Sequence, residues 1–276
     1  MNLIHYEHNH AFHHQDLCPF HLGLIQQEKN TVCNWHKKIE IMLVKQGCGF
    51  IQYGAKKYPL REGDLFVINS EAIHHTYSDE KISFHFIIIG EEFCAENGID
   101  VEQVKFEEKI EDENTVRLFH HMISEITEAK IHKKFPYLTR ARISVLMLLA
   151  DLCTNHLANQ TETSSNSAQS EQHVKKAMLY LNEHYTEPFC LETLADHLGL
   201  NKFYLTRIFK KQTGQTPLTY TNMLRCKQAE YALSKGMNIT EAAYDCGFES
   251  LSYFSRIYKK IRGISPTQFK KNNLIL

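Results

Sequence analysis

The stretch Tyr244–Lys271, YDCGFESLSYFSRIYKKIRGISPTQFKK, repeats a pattern found earlier in His197–Tyr220, HLGLNKFYLTRIFKKQTGQTPLTY. Each copy places a glycine before a polar residue, followed by a segment whose apolar residues recur at helical spacing. From Arg207 and Arg256 onward the two copies align at a constant offset of 49 residues. An internal repeat of this kind predicts two copies of one structural unit.

Each copy has the features of a helix-turn-helix unit. In the first, Gly199 follows a short helix with one apolar face, and Asn201 is suited to cap a helix over 202–212. In the second, Gly247 and Ser250 take the same roles before a helix over 251–261. A helix, a tight turn and a second helix with a basic, polar outer face are typical of units that place the second helix in the major groove of DNA.

A single helical pattern over 217–235 joins the two units, with Pro217 at its start and Gly236 after its end. A helix of that length spans about 28 Å, whereas successive major grooves on one face of DNA lie about 34 Å apart. The connecting helix therefore suits a chain that reads two adjacent grooves of one duplex, provided that the DNA bends.

The outward faces of the two second helices carry the candidate DNA contacts. Arg207 and Arg256 are expected to read base edges, since a guanidinium pairs with guanine through two hydrogen bonds. Phe203 and Leu251 are predicted to be exposed at the starts of their helices, where they would pack against a thymine methyl group.

The remaining outward positions are polar. The three lysines are expected to meet phosphates, and the hydroxyl-bearing residues to meet bases or phosphates. The complete predicted set is Lys202, Phe203, Thr206, Arg207, Lys210, Leu251, Ser252, Tyr253, Ser255, Arg256 and Lys259.

Charge and composition divide the chain into two parts. Residues 1–170 have a net charge of −7 and residues 171–276 a net charge of +6, so the second part suits a polyanion, although six surplus charges also suit an ordinary solvated surface. Residues 157–172, rich in Ser, Thr, Asn and Gln, are predicted to form a flexible linker. The expected domains are therefore residues 1–156 and 173–276.

The first part is predicted to combine a β-structure with two helices. Residues 20–93 contain short runs of β-branched and aromatic residues separated by turn residues, which indicate a sandwich or a barrel. Two amphipathic patterns follow, Asp112–Lys134 and Tyr137–His156, separated by Pro136. This antiparallel pair either covers the sheet or supplies a dimer interface, and the sequence leaves both open.

A motif in the β-region resembles the metal-binding motif of cupin barrels. NWHKKIEIMLVKQG places Asn34, His36 and Glu40 at cupin spacing, and His74 follows in a second segment, GDLFVINSEAIHH. If these residues continue one strand, Asn34, His36 and Glu40 share a face. The resemblance implies a metal site, but Asn34 stands at the first histidine position.

Two further positions of the second cupin segment also differ, since Asn69 and Glu71 stand where proline and glycine are usual. We therefore expect Asn34, His36, Glu40 and His74 to bind a small organic ligand, with no metal and no cofactor. A three-ligand metal site at His36, Glu40 and His74, or purely structural histidines, remain alternatives.

The remaining features favour a cytoplasmic protein that does not bind membranes. The longest apolar run, Val145–Ala150, is too short to cross a bilayer, and the first residues lack the order of a signal peptide. The eight cysteines contain no CxxC pair, so neither disulfides nor a thiolate zinc site is indicated. Five early histidines, at positions 5, 8, 10, 13 and 14, are predicted to belong to a polar N-terminal arm and not to a metal site.

The domain order, acidic cupin-like barrel, linker and then a seven-helix double helix-turn-helix, resembles the AraC family of bacterial transcription regulators. The most specific stretch is Gly247–Phe269, with GF, then YFSR, then the ending K-K-x-x-G-x-S-P-x-x-[FY]. The resemblance implies sequence-specific binding to double-stranded DNA, activation by contact with RNA polymerase, a small-molecule effector such as a sugar, and a homodimer. An N-terminal arm that lies over the ligand pocket is a further implication.

The expected function is therefore regulation of transcription and not catalysis. Two alternatives remain open at this stage. The first alternative is a cupin metalloenzyme with an accessory DNA-binding domain, suggested by His36, Glu40 and His74. The second is a regulator whose first domain only dimerises.

Overall fold

The structure of the protein is a computed structural model that describes residues 20–27, 31–79, 81–159 and 165–273. The five early histidines, and with them the predicted N-terminal arm, lie outside these residues.

The first domain contains eight described strands and three described helices. They are β1 Phe20–Gln27, β2 Ile39–Gln46, β3 Gly49–Tyr53, β4 Lys56–Leu60, β5 Leu65–Ile68, β6 His74–Tyr77, β7 Ile82–Ile89, α1 Glu91–Glu96, β8 Lys109–Ile110, α2 Glu113–His132 and α3 Tyr137–Asn155.

The described strands form two antiparallel sheets and not one closed barrel. One sheet has the order β1-β7-β2-β5-β8 and the other β4-β3-β6. The chain leaves the first sheet after β2 at Gly47, whose φ of +89° is a conformation that glycine adopts without strain. The inner faces meet in a shared apolar cluster that includes Met42 and Phe84 from the first sheet and Ile51 from the second.

Helices α2 and α3 cover the outer face of the five-stranded sheet. Ile39, Ile41 and Leu43 of β2 pack in one cluster with Phe119 of α2 and Val145 of α3. Of the two alternatives that the sequence left open, coverage of the sheet is therefore confirmed for the inner face of the helix pair. Met42, on the same face of β2 as Glu40, lies instead in the cluster between the sheets.

The second domain contains seven described helices, as predicted. They are α4 Ser165–His184, α5 Leu191–His197, α6 Lys202–Thr213, α7 Pro217–Ser234, α8 Ile239–Asp245, α9 Leu251–Arg262 and α10 Pro266–Asn273. Among the described residues, none of the helices combines the length and the apolar character that a bilayer crossing requires.

The turn and cap residues of the repeat have the predicted roles. Gly199 and Gly247 are left-handed, with φ of +65° and +83°. The Asn201 side chain accepts a hydrogen bond from the Phe203 amide at 2.9 Å, and the Ser250 hydroxyl accepts one from the Tyr253 amide at 3.2 Å. The 18 residues of α7 span about 27 Å.

The predicted linker is shorter in the structure than in the sequence interpretation. Helix α4 begins at Ser165 and not at Glu171, so 165–172 are helical. Once Val174 and Ala177 are buried, adding turns at the N-terminal end needs only residues that tolerate a helix, and Ser, Asn, Gln and Ala do. At the other end of the segment, Leu157 forms a bridge with Phe106, so it belongs to the first domain.

The two domains share a hydrophobic cluster. Cys33 and Ile73 of the first domain pack with Val174 and Ala177 of α4 and with Leu205 of α6. The first helix-turn-helix unit therefore completes its core with residues from the β-domain.

The two equivalent turn glycines differ in their surroundings, and this difference predicts unequal costs of substitution. An added Cβ at Gly247 would come within 2.7 Å of the Thr186 Cα, whereas at Gly199 nothing lies within 4 Å. We expect Gly199→Ala to cost about 1 kcal/mol from backbone strain alone. Gly247→Ala should cost about 1 to 3 kcal/mol more, because backbone must move. Urea unfolding followed by far-UV circular dichroism measures both, and equal losses would contradict the prediction.

Candidate DNA-binding surface and ligand cavity

Helix α6 has one buried face and one exposed face. Leu205 and Phe209 are fully buried, and they fix the helix against α4, α5 and α7. The opposite face presents Phe203, Arg207 and Lys210 to solvent, with Phe203 75% exposed. An aromatic ring that remains exposed beside two cations is typical of a surface that contacts another molecule.

Helix α9 has the same organisation in the second unit. Phe254 and Tyr258 are fully buried against α7 and α8. Ser252, Arg256 and Lys259 are exposed on the opposite face. The two helices therefore offer equivalent surfaces, as the repeat predicts.

An identical aromatic contact supports the arginine in each unit. The Arg207 guanidinium carbon lies 5.4 Å from the centre of the Tyr204 ring, and the Arg256 guanidinium carbon lies 5.4 Å from the centre of the Tyr253 ring. Such cation–π contacts are worth about 0.5 to 1 kcal/mol at exposed sites. Each tyrosine therefore limits the conformations of the arginine one helical turn later.

Two residues predicted to be exposed are half-buried instead. Leu251 and Tyr253 pack against the core of the second unit, and the Tyr253 hydroxyl accepts a hydrogen bond from the Asn222 side chain at 3.0 Å. The start of α9 lies against α7, whereas the start of α6 projects further, which explains why Phe203 and not Leu251 is exposed. Lys202, Thr206 and Ser255 are also only partly exposed.

Local partners occupy part of that polar surface. Lys202 pairs with Glu192, and the Thr206 hydroxyl donates to the Lys202 carbonyl at 2.9 Å.

A cavity of about 330 Å³ lies inside the first domain. Its apolar lining includes residues of β5 and β7, and its polar lining lies where residues 31–36 run beside β6 and next to Glu40 of β2. All four predicted ligand-binding residues line it. The lining consists of His21, Gly23, Leu24, Thr31, Val32, Asn34, His36, Lys38, Glu40, Met42, Ile68, His74, His75, Thr76, Phe84, Phe86 and Ile88.

The backbone that brings the polar residues together differs from the predicted single strand. Asn34, His36 and Glu40 are not on one strand: Asn34 pairs with His74 through backbone hydrogen bonds of 2.9 and 2.8 Å, and β2 begins only at Ile39. A bend between them nevertheless brings His36 Nε2 within 3.2 Å of Glu40 Oε2. The predicted continuous strand was wrong, because residues 37–38 form a bend, but the predicted shared face is confirmed, since all three side chains line the cavity.

Burial and hydrogen bonding oppose each other at Glu40. Burial raises the pKa of the Glu40 carboxyl, but the contacts with His36 and His74 outweigh burial and bring the pKa down to about 2. At the neighbouring His75, burial lowers the pKa of the imidazole to about 4. At neutral pH Glu40 is therefore a carboxylate and His75 is a neutral imidazole.

Two family models match the chain. The AraC-like ligand binding domain matches residues 8–145, and a helix-turn-helix domain matches residues 194–272. The first match spans half of the chain and contains the cavity, and the second contains α6 and α9.

The chain belongs to the AraC family of transcription regulators. It is a DNA-binding regulator with an N-terminal ligand-binding domain.

Relatives of this AraC-family regulator match both domains. The helix-turn-helix regulator YdeC from Bacillus subtilis is 24% identical over 258 residues, 87% of this chain and 86% of that protein. The transcriptional activator RhaS from Mannheimia succiniciproducens is 26% identical over 240 residues, 85% of this chain and 87% of that protein. A solved structure of ToxT from Vibrio cholerae matches 92% of this chain and 98% of its own at 14% identity, with a TM-score of 0.48.

The sequence did not reveal a polar contact between the domains. Lys175 of α4 lies 3.3 Å from the Glu71 carboxylate and 5.2 Å from the centre of the Trp35 ring. Glu71 has a φ of +67°, a conformation uncommon outside glycine. The sequence did contain a sign of this left-handed conformation, since Glu71 occupies the position where glycine is usual in cupin barrels.

The exposed and buried aromatic residues of α6 give a direct test of the assigned faces. Phe203→Ala should change the free energy of unfolding by less than about 0.5 kcal/mol, because the ring is in solvent. Phe209→Ala should cost about 3 to 5 kcal/mol, because it leaves a cavity in the core. Thermal and urea unfolding of the two variants measure the difference, and similar losses would mean that α6 is oriented differently.

Proposed function

We propose that this AraC-family regulator places α6 and α9 in two neighbouring major grooves of one DNA duplex, and activates transcription in response to a small molecule in its cavity. The observation that carries the proposal is the matched pair of arginines, Arg207 and Arg256, each supported by a tyrosine on the same helix face.

The two arginines are assigned to base edges. A guanidinium that is held over a tyrosine loses less conformational freedom on binding, and its fork matches the acceptors of guanine. Lys210 and Lys259, exposed one turn further along, are assigned to phosphates. Phe203 is assigned to a thymine methyl group, since its ring is 75% exposed.

The remaining contacts distinguish the two units. The remaining polar side chains lie at positions that are not the same in the two units. They are Lys202 and Thr206 in the first unit and Ser252 and Ser255 in the second. Leu251 and Tyr253, which are half-buried, contribute through the shape of the α9 surface. The two helices should therefore prefer different bases.

The cavity sets the chemistry of the effector. Its volume is near the lower limit for small-molecule sites, so the effector is about the size of a monosaccharide or a small aromatic compound. Asn34, His36, Glu40 and His74 would meet polar groups of such a ligand, and the Phe84 and Phe86 side would meet its apolar face. A sugar satisfies both requirements, since its hydroxyls donate to acceptors and one ring face is apolar.

Activation by contact with RNA polymerase follows from the family and from RhaS, which is named an activator. The protein would act by binding and not by catalysis, in the bacterial cytoplasm that holds the chromosome. A regulator whose first domain only dimerises would not need the cavity.

Removal of either arginine should weaken specific binding. Arg207→Ala and Arg256→Ala should each reduce affinity for the cognate site by about 5- to 140-fold, equal to about 1 to 3 kcal/mol, and relax preference at one base position. Genomic fragments captured by the wild-type protein supply the site, and fluorescence anisotropy at fixed salt measures affinity.

Two controls separate base reading from charge. Lys210→Ala should weaken binding to all sequences alike and reduce the salt slope by about 1. Arg117→Ala, which removes an exposed arginine of α2, should change nothing. Full-strength, sequence-specific binding by the Arg207 and Arg256 double variant would refute the proposed DNA surface.

The outer face of α3 is proposed as a homodimer interface. Ile143 and Met147 are 51% and 46% exposed and lie one turn apart on the face that does not cover the sheet. Phe135, in the turn before α3, is 77% exposed. An apolar stripe on a helix that already packs on one side suits a second copy of the same helix.

Charges on that stripe should separate the dimer. The Ile143→Glu and Met147→Glu double variant should be a monomer by light scattering, because each carboxylate would be buried in an apolar contact. The control, Leu179→Glu, places the same charge on a partly exposed position of α4 and should leave the mass unchanged. A dimer that persists in the double variant would exclude this face.

A further inference from the structure

The connecting helix α7 contributes a buried polar side chain to the second recognition unit. Asn222 is 4% exposed, and its amide nitrogen donates to the Tyr253 hydroxyl at 3.0 Å. The Tyr253 ring in turn lies 5.4 Å from the Arg256 guanidinium carbon. A buried amide is thereby connected, through one aromatic ring, to an arginine that is assigned to a base edge.

The other polar atom of the Asn222 amide is unpaired. The Asn222 Oδ1 atom is buried and has no hydrogen-bond partner among the described residues. A buried carbonyl oxygen without a partner costs folding free energy, so an apolar side chain of similar shape would suit the fold better at this position. The stability of α7 therefore does not account for an asparagine here, and the bond to Tyr253 is the contact that remains to account for it.

Asn222 is itself held in a fixed place. Arg225, one turn further along α7, is 5% exposed. It donates to the backbone carbonyls of Tyr185 and Glu187, each at 2.6 Å, and both carbonyls belong to the turn that joins α4 to α5. Because this part of α7 is bound to the first unit, Asn222 fixes the Tyr253 ring relative to the first unit and not only within the second.

The equivalent tyrosine of the first unit lacks such a bond. Tyr204 lies 49 residues before Tyr253 in the sequence and has the same 5.4 Å contact with its arginine. No hydrogen bond joins the Tyr204 hydroxyl to another described residue. The two repeats therefore share the cation–π contact but differ in how firmly the tyrosine ring is held.

We propose that Asn222 is a positioning residue for base reading by Arg256. By fixing the Tyr253 hydroxyl, Asn222 fixes the ring on which the guanidinium lies, so the arginine presents its donors in a narrow range of directions before DNA is bound. An asparagine that is buried away from the DNA would then strengthen the preference at one base position. The proposal rests on the DNA-binding function proposed above, because Asn222 acts through Arg256.

A phosphate contact by the Tyr253 hydroxyl is the competing role for the same ring. Such a contact would strengthen binding to every sequence alike, because phosphates carry no sequence information. Positioning of Arg256 acts at one base position only. Base preference, measured position by position, therefore separates the two roles.

The test uses the full-length protein and the site supplied by genomic capture, with each base pair replaced in turn. Arg256→Ala first identifies the base pair that the arginine reads, because its replacement no longer weakens binding. Asn222→Leu, which keeps the branching and the number of heavy atoms, should reduce the preference at that base pair by about 2- to 10-fold. The preference at the base pair read by Arg207 and the dependence of affinity on salt should not change.

A neighbouring residue provides the matched control. Thr221 is buried, and its hydroxyl donates to the Pro217 carbonyl at 3.0 Å within α7. Thr221→Val removes this buried hydrogen bond but not the bond to Tyr253, so it should leave every base preference unchanged. In thermal unfolding, Asn222→Leu should have a Tm at or above that of the wild type, because the unpaired amide oxygen is removed.

A second variant keeps the proposal testable if Asn222→Leu is destabilised. Tyr253→Phe breaks the same hydrogen bond from the other side and keeps the ring, so it should reduce the same base preference. It should do so by a larger factor than Tyr204→Phe reduces the preference at the base pair read by Arg207. A uniform loss of affinity at unchanged preference would instead assign the Tyr253 hydroxyl to a phosphate and overturn the positioning role.

Two further results would overturn it: equal losses of preference at the base pairs read by Arg207 and Arg256, or a full preference in Asn222→Leu. If Arg256→Ala abolishes one base preference that Asn222→Leu retains, the positioning role alone fails. If Arg256→Ala changes no base preference, the proposed DNA surface fails with it.

Discussion

The antiparallel pairing of residues 31–34 with β6 is the contact on which both the cavity and the domain interface depend. Two backbone hydrogen bonds join Asn34 to His74. The Thr31 amide donates to the Thr76 carbonyl at 2.9 Å, and the Thr76 amide donates to the Thr31 hydroxyl at 2.9 Å. Because side chains alternate along an extended segment, Asn34 and His36 face the cavity while Cys33 and Trp35 face the helical domain. One short segment is therefore a wall of the ligand site and part of the core of the first helix-turn-helix unit. A ligand that displaces it must disturb both.

The second domain is consequently not an independent body attached by a tether. Its first unit contains Cys33 and Ile73 in its core, and Lys175 of α4 bridges to Glu71. Glu71 adopts its left-handed conformation at a cost of about 1 to 3 kcal/mol, and the Glu71 amide donates to the His36 carbonyl at 2.6 Å. Strain at this position is thus offset by contacts to both the cavity wall and the helical domain, so the conformation of Glu71 connects the two.

Much of the helical domain could be predicted from sequence because its rules are local. Caps at Asn201 and Ser250, left-handed glycines and the 3.6-residue period are each set within one or two turns. The shared face of Asn34, His36 and Glu40 was predicted from alternation, whereas the bend at Lys37–Lys38 that interrupts the strand was not. The pairing of residues 31–34 with β6 is long-range, so no local pattern indicated it. Likewise the burial of Tyr253 depends on Asn222, 31 residues away, and composition alone could not show that 165–172 continue a helix from the buried Val174.

The length of α7 has a consequence for bases that the protein never touches. Its 18 residues span about 27 Å, less than the roughly 34 Å between successive grooves of straight DNA. With α6 and α9 in neighbouring grooves, as proposed, the duplex would bend to supply the difference, and the energy of bending would depend on the stacking of the base steps between the two contacted segments. Flexible pyrimidine–purine steps bend at lower cost than stiff A-tracts. The regulator would therefore select its operators partly by how easily their DNA bends, at positions where no side chain reads a base.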